Sequence, residues 1–147
     1  MATGKPNLLR RWFDEVWNQR REDLMEEIAS SDLVCHGTAG PNDIMRGLDN
    51  GFRPFYRRIL GAFPDVRFTI EAAIREGDIE ALRWTAEMTH AGDHLGTPAT
   101  NKPVTLHGMV FGRVENGKIV ESWDSWDMMG LTQQIGLEAR DRVVPVD

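Results

Sequence analysis

The sequence predicts an α+β domain, and three observations carry that prediction. Apolar residues recur at three- and four-residue steps before residue 64, the spacing of a helix face. After residue 66 the pattern changes to apolar/polar alternation, the spacing of half-buried strands. Two turn dipeptides, Gly77-Asp78 and Asn116-Gly117, join the alternating segments in pairs, so those strands run antiparallel. Helices first and a sheet afterwards is the α+β arrangement.

Taken in order, Leu8, Leu9, Trp12, Phe13, Val16 and Trp17 form one apolar stripe and predict a helix over 7–19. A second, shorter helix is expected over 23–29. Residues 32–37 read as a short strand, ended by the loop Gly37-Thr38-Ala39-Gly40-Pro41. A third helix is expected over 42–63, interrupted near Gly51 and Pro54; a proline opening a fresh helical turn does no harm, because its missing N–H would have no partner there. Four strands follow, over 66–76, 79–91, 102–114 and 118–126. Residues 127–136 close the fold as a turn or short helix, with Asp127 suited to its N-cap.

The chain has 147 residues, 41% hydrophobic and 27% charged, which fits one domain with an ordered core over about 6–137 and a short tail over 138–147. A net charge of −6 and a pI near 5.2 speak against a nucleic-acid or anionic-membrane surface, both of which reward a basic patch. The single cysteine, Cys35, excludes an internal disulfide and a multi-cysteine metal site, and it reads as a small buried hydrophobe. No apolar run reaches membrane-spanning length and no signal-peptide core is present, so a cytoplasmic location is expected. Phosphate-loop, dinucleotide and nucleophile-elbow motifs are missing, and the histidines do not have metal-ligand spacing, so neither metal nor cofactor is expected.

Turn geometry gives a first account of the site. If Asn116-Gly117 is a two-residue turn, Glu115 pairs with Lys118 and the pairing runs outward in step. Met109 then opposes Asp124, Phe111 opposes Ser122 and His107 opposes Trp126. These six residues would share one face, with His107 and Asp124 diagonal neighbours roughly 7–8 Å apart. The preceding strand alternates Leu82, Trp84, Ala86 and Met88 with polar residues, and extending it places His90 on the same apolar face. Apolar walls with a few placed polar groups are what a small-molecule pocket needs. An aspartate on such a face is costly unless paired or functional. Asp124 is therefore the candidate acid/base, although it also reads as a structural acceptor. His107 and His90 are candidate partners or, alternatively, satisfied core residues; His36, beside the glycine-rich loop, reads as a pocket residue or a solvated one.

Two segments resemble a known family. Thr89-His90-Ala91-Gly92-Asp93-His94-Leu95-Gly96-Thr97-Pro98-Ala99-Thr100-Asn101-Lys102 is similar to the Thr-His-x-Gly-x-x-x-Gly-x-Pro-x-Thr-x-Lys segment of SnoaL-like polyketide (ester) cyclases. Gly117-Lys118-Ile119-Val120-Glu121-Ser122-Trp123-Asp124 resembles their Gly-Lys-Ile-x-Glu-x-Trp-Asp ending. The resemblance implies a nuclear-transport-factor-like cone: three N-terminal helices on a strongly curved antiparallel sheet around one pocket. It implies cofactor-independent ring closure by intramolecular aldol condensation, with Asp124 as acid/base and His107 as a polar pocket residue. The ligand would be a small hydrophobic carbonyl compound, held against Trp84, Met88, Met109, Phe111, Ser122 and Trp126. It also implies a homodimer through the outer sheet face, expected to carry Val110, Val114, Ile119 and Trp123. The same cone serves epoxide hydrolysis, hydroxylation and non-catalytic binding of apolar ligands. The Asp-Arg-Asp set of limonene epoxide hydrolase is not matched, since the corresponding strand reads Arg83-Trp84-Thr85-Ala86-Glu87.

Overall fold

A computed structural model describes residues 7–136; the expected tail over 138–147 lies outside the described residues. The first helix starts as α1 (Leu8–Arg11) and continues as a π-helical stretch, Trp12–Asn18, and its six stripe residues are all buried. Its N-terminus is capped twice. Asn7 accepts from Arg10 N, and the fully buried Glu80 carboxylate reaches in from the sheet to take Leu8 N at 3.1 Å and Leu9 N at 2.8 Å. Those amides would otherwise have no partner, so a carboxylate there suits both their hydrogen bonding and the helix dipole. At the other end, the Asn18 side chain donates to Phe68 O and accepts from Phe68 N, both at 2.8 Å, tying the helix to the sheet.

A 3₁₀ turn, Glu22–Leu24, leads into the one-turn α2 (Met25–Ile28) and then β1 (Ala29–His36) and β2 (Ile44–Arg46). The third helix is shorter than the sequence suggests. The chain first makes β2, then a π turn over Leu48–Phe52, and only then α3 (Arg53–Ala62) with Pro54 in its first turn. The remaining strands are β3 (Arg67–Glu76), β4 (Ile79–Thr89), β5 (Pro103–Glu115) and β6 (Lys118–Trp126), followed by α4 (Met128–Gln134). Asp127 caps α4, as the sequence predicts, accepting from Gly130 N at 2.8 Å.

The six strands form one curved sheet in the order β2-β1-β6-β5-β4-β3. It is mixed rather than purely antiparallel, because β1 runs parallel to β6 while every other pair is antiparallel. The fold is therefore α+β, with four α-helices and a mixed sheet among the described residues. Asn116 and Gly117 both have positive φ, 52° and 76°, the conformation a tight hairpin turn requires. One residue further on the expected register fails. Val114 pairs with Ile119 but Arg113 pairs with Glu121, so Val120 is a bulge and every later pair is displaced by one. Val110, not Met109, opposes Asp124, and Gly108 opposes Trp126.

A one-residue slip reverses a strand's faces relative to its partner. The inward set on β5 is Val104, Leu106, Gly108, Val110, Gly112 and Val114, while His107, Met109 and Phe111 point outward and are exposed. The glycines are required by what they face: a Cβ on Gly108 would lie 2.2 Å from the Trp84 ring. Helix and sheet meet over an aromatic cluster of Trp12, Phe13, Trp17, Phe52, Tyr56, Phe68 and Trp84, with ring centroids as close as 4.7 Å for Trp17–Tyr56. Buried Tyr56 satisfies its hydroxyl by donating to Val16 O at 2.7 Å.

Candidate active site

Between the helices and the concave face lies a cavity of about 120 Å³, several times what one ordered water needs. Its walls are almost wholly apolar: Trp12, Phe13, Phe55, Ile59, Trp84, Met88 and their neighbours. Its polar groups come from β1, the loop after it and β6: Cys35, Thr38, Ser122 and Asp124. The parallel β1–β6 pairing brings them together, setting Cys35 beside Ser122. The loop then turns on Gly37, whose φ of +78° excludes most side chains and where a Cβ would sit 2.5 Å from Asp124 O. Thr38 Oγ1 donates to Asp124 Oδ2 at 2.7 Å, and the Trp126 indole Nε1 donates to Thr38 O at 2.9 Å.

Asp124 has an unusual setting for a carboxylate. Its side chain lines the cavity and is half-buried, and loss of hydration raises its pKa from 3.8 to about 6. The Thr38 and Ser122 hydroxyls act in the opposite direction and limit the rise. Cys35 beside it is kept as a neutral thiol: burial pushes its pKa up to about 12, and the negative charge of Asp124 adds to that effect. The site thus offers a carboxyl group that ionises near neutrality, with hydroxyl and thiol neighbours in an apolar chamber.

Of the residues predicted from sequence, Trp84, Met88, Ser122, Asp124 and Trp126 line this cavity. His107, Met109 and Phe111 do not: the Val120 bulge turns them to the outer face, where His107 Nδ1 lies 3.1 Å from Thr85 Oγ1. His36 is also on that side, stacked on Trp123 and 2.7 Å from Glu121. His90 is fully buried as expected, but behind the wall, against Phe63. Its Nδ1 accepts from Thr100 N at 3.3 Å and lies 3.0 Å from Thr100 Oγ1, while its backbone pairs with Lys102 O and Asn101 N. It closes the 91–101 loop, and desolvation lowers its pKa and keeps the ring neutral. Thr38 escapes a reading based on strand alternation because it sits in a loop. The signal it leaves is a hydroxyl residue directly after a glycine at the end of a strand.

The family profile described as SnoaL-like polyketide cyclase matches residues 7–135. Among solved structures, IdmH of Streptomyces antibioticus, a proposed polyketide cyclase, is 27% identical with a TM-score of 0.73, over 88% of this chain and 96% of that one. AclR of Streptomyces galilaeus, a proposed hydroxylase, is 26% identical with a TM-score of 0.75, over 88% and 82%. A protein of Catenulispora acidiphila with a ketosteroid isomerase-like fold shares that fold at 18% identity and a TM-score of 0.73, over 93% of this chain and 98% of that one. No curated protein matches the chain.

Proposed function

This chain belongs to the SnoaL-like polyketide cyclase family, and from that premise we propose that it is an enzyme closing a ring in a hydrophobic carbonyl substrate, with Asp124 as its acid/base. The observation that carries the reading is a carboxylate of raised pKa, partnered by hydroxyls, in an otherwise apolar cavity. Asp124 removes a proton from the carbon beside a carbonyl. The resulting enolate carbon attacks a second carbonyl of the same molecule, forming the carbon–carbon bond. The new alkoxide takes the proton back from Asp124, so the reaction balances without a redox partner. A base works best with a pKa near the working pH, which a carboxylate of about 6 approaches. The neutral Cys35 thiol is the neighbouring donor for the developing oxyanion, while the Ser122 hydroxyl serves the carboxylate. The apolar walls hold the substrate chain folded, so proximity contributes much of the rate.

The test is α-proton exchange of an apolar ketone in D₂O. Asp124→Asn should lower enzyme-catalysed exchange by about two orders of magnitude or more, the usual effect of removing a general base. Full activity in that variant would end the proposal. Apolar ligands that raise Tm with no exchange in any variant would favour a binding protein instead.

We also propose a homodimer through the outer sheet face, on a different set of residues from the one the sequence suggests. Val110, Val114 and Ile119 are buried inside. The outward row crosses all six strands as Ile74, Ala81, Phe111, Trp123, His36 and Ile44. Exposures of 69% for Ile74, 56% for Phe111 and 49% for Ile44, with Met109 at 60% beside them, make a continuous apolar band suited to a second copy.

A further inference from the structure

The contact between Thr38 and Asp124 spans 86 residues and joins a loop to a strand end. Three separate features fix it. Gly37 lies directly on the Asp124 carbonyl, with no room for a side chain. The Trp126 indole holds the Thr38 carbonyl. Gly37 N donates to Asp43 O at 2.9 Å and Asp43 N to Gly40 O at 3.0 Å, closing the loop upon itself. Thr38 is buried, so its hydroxyl does not exchange freely between water and protein partners.

We propose that Thr38 is a positioning residue for Asp124: its hydroxyl holds Oδ2, fixes the plane of the carboxylate and leaves Oδ1 to meet the substrate. An ionised carboxylate only accepts hydrogen bonds, so the single hydroxyl proton is committed to Oδ2. A base whose plane is fixed before the substrate enters loses less on reaching the reactive geometry. The same bond favours the anion over the acid, so Thr38 also sets the pH at which the base is ready. Among the described residues, the groups acting on Asp124 are the Thr38 and Ser122 hydroxyls, with the Cys35 thiol beside it and Asp43 acting on Cys35 through its charge. Cys35 stays neutral across the working range, so it does not titrate together with Asp124.

This inference rests on the carbon-acid reading of the site, and its test separates the two. Thr38→Val keeps the shape and removes the hydroxyl; Thr38→Ser keeps the hydroxyl. The Asp124 side-chain carboxyl is titrated by ¹³C NMR, its signal assigned by its loss in Asp124→Asn, and deuterium exchange into 1-tetralone is followed from pH 4.5 to 8. In Thr38→Val the midpoint should move up by about one pH unit. The acid limb of the exchange profile should move with it, and kcat should fall about tenfold or more with little change in KM. Thr38→Ser should restore both. A folded Thr38→Val protein with the wild-type midpoint and kcat overturns the proposal, as does a shift that Thr38→Ser does not reverse. If wild type exchanges no faster than Asp124→Asn, the base reading fails and the titration alone decides whether Thr38 holds the carboxylate.

Discussion

Replacing Asp124 by asparagine should make this protein gain stability on wild type as pH rises from 4 to 6. The carboxyl has a pKa of about 6 in the folded chain against 3.8 as a reference. That gap of about two pH units, at about 1.4 kcal/mol each, is a cost of about 3 kcal/mol for keeping the anion in the folded state. The sign follows from linkage. A pKa raised by folding gives stability that is complete below the unfolded pKa and is lost as pH rises through the folded one. Asparagine carries none of this dependence. Its own hydrogen-bonding mismatch adds an offset, but one that does not change with pH. Urea unfolding of both proteins at matched concentration, from pH 4 to 8, therefore reads the difference directly, because the other carboxylates cancel. The stability of Asp124→Asn minus that of wild type should climb by about 3 kcal/mol, with its midpoint between pH 4 and 6. A difference that stays flat within about 1 kcal/mol would mean that the carboxylate is not desolvated, and the argument for a tuned base would fall with it.

Glu80→Gln should cost about 3 kcal/mol, since two backbone amides lose a charged acceptor and one of them then faces an NH₂ group; a Tm within 2 °C (roughly half a kcal/mol) of wild type would contradict this. Gly108→Ala forces a methyl against the Trp84 ring and should cost about 2 kcal/mol, with a changed near-ultraviolet circular dichroism spectrum; an unchanged spectrum and Tm would show that the ring yields freely. Phe111→Glu should convert a homodimer to a monomer at micromolar concentration by light scattering, while a wild-type monomer under the same conditions removes the proposed interface.

Much of this fold is legible because its signals are local. The first helix declares itself through six apolar residues on one stripe, and β4 through Leu82, Trp84, Ala86 and Met88. Asn116-Gly117 announces its hairpin because few other dipeptides accept two positive φ angles. A turn, however, fixes register only as far as the first irregularity. Val120 adds one residue, which nothing in its own chemistry marks, and the reading then assigns β5 the wrong face. The corrective signal lies in β5 itself, where aliphatic residues at 104, 106, 110 and 114 alternate with His107, Met109 and Phe111, with Gly108 and Gly112 in the inward phase. Weighed against the turn, that phase gives the observed faces. β2 is three residues long and leaves almost no periodicity to detect. The parallel β1–β6 contact and the Thr38–Asp124 bond depend on pairing across more than eighty residues, which no local pattern encodes.

That long-range pairing also gives the site a timetable. Thr38 is made 86 residues before Asp124, so the two halves of the polar cluster meet only after all the strands from β1 to β6 have emerged. Contacts of such high sequence separation form late, because the loop between them must be closed first. A nascent or partly folded chain therefore has an ordinary, water-exposed aspartate with an ordinary acidity. The costly anion arises only once β6 has docked between β1 and β5, when the rest of the sheet is in place to bear the strain. The raised pKa of Asp124 is in this sense a readout of completed folding, present only when β6 lies between β1 and β5.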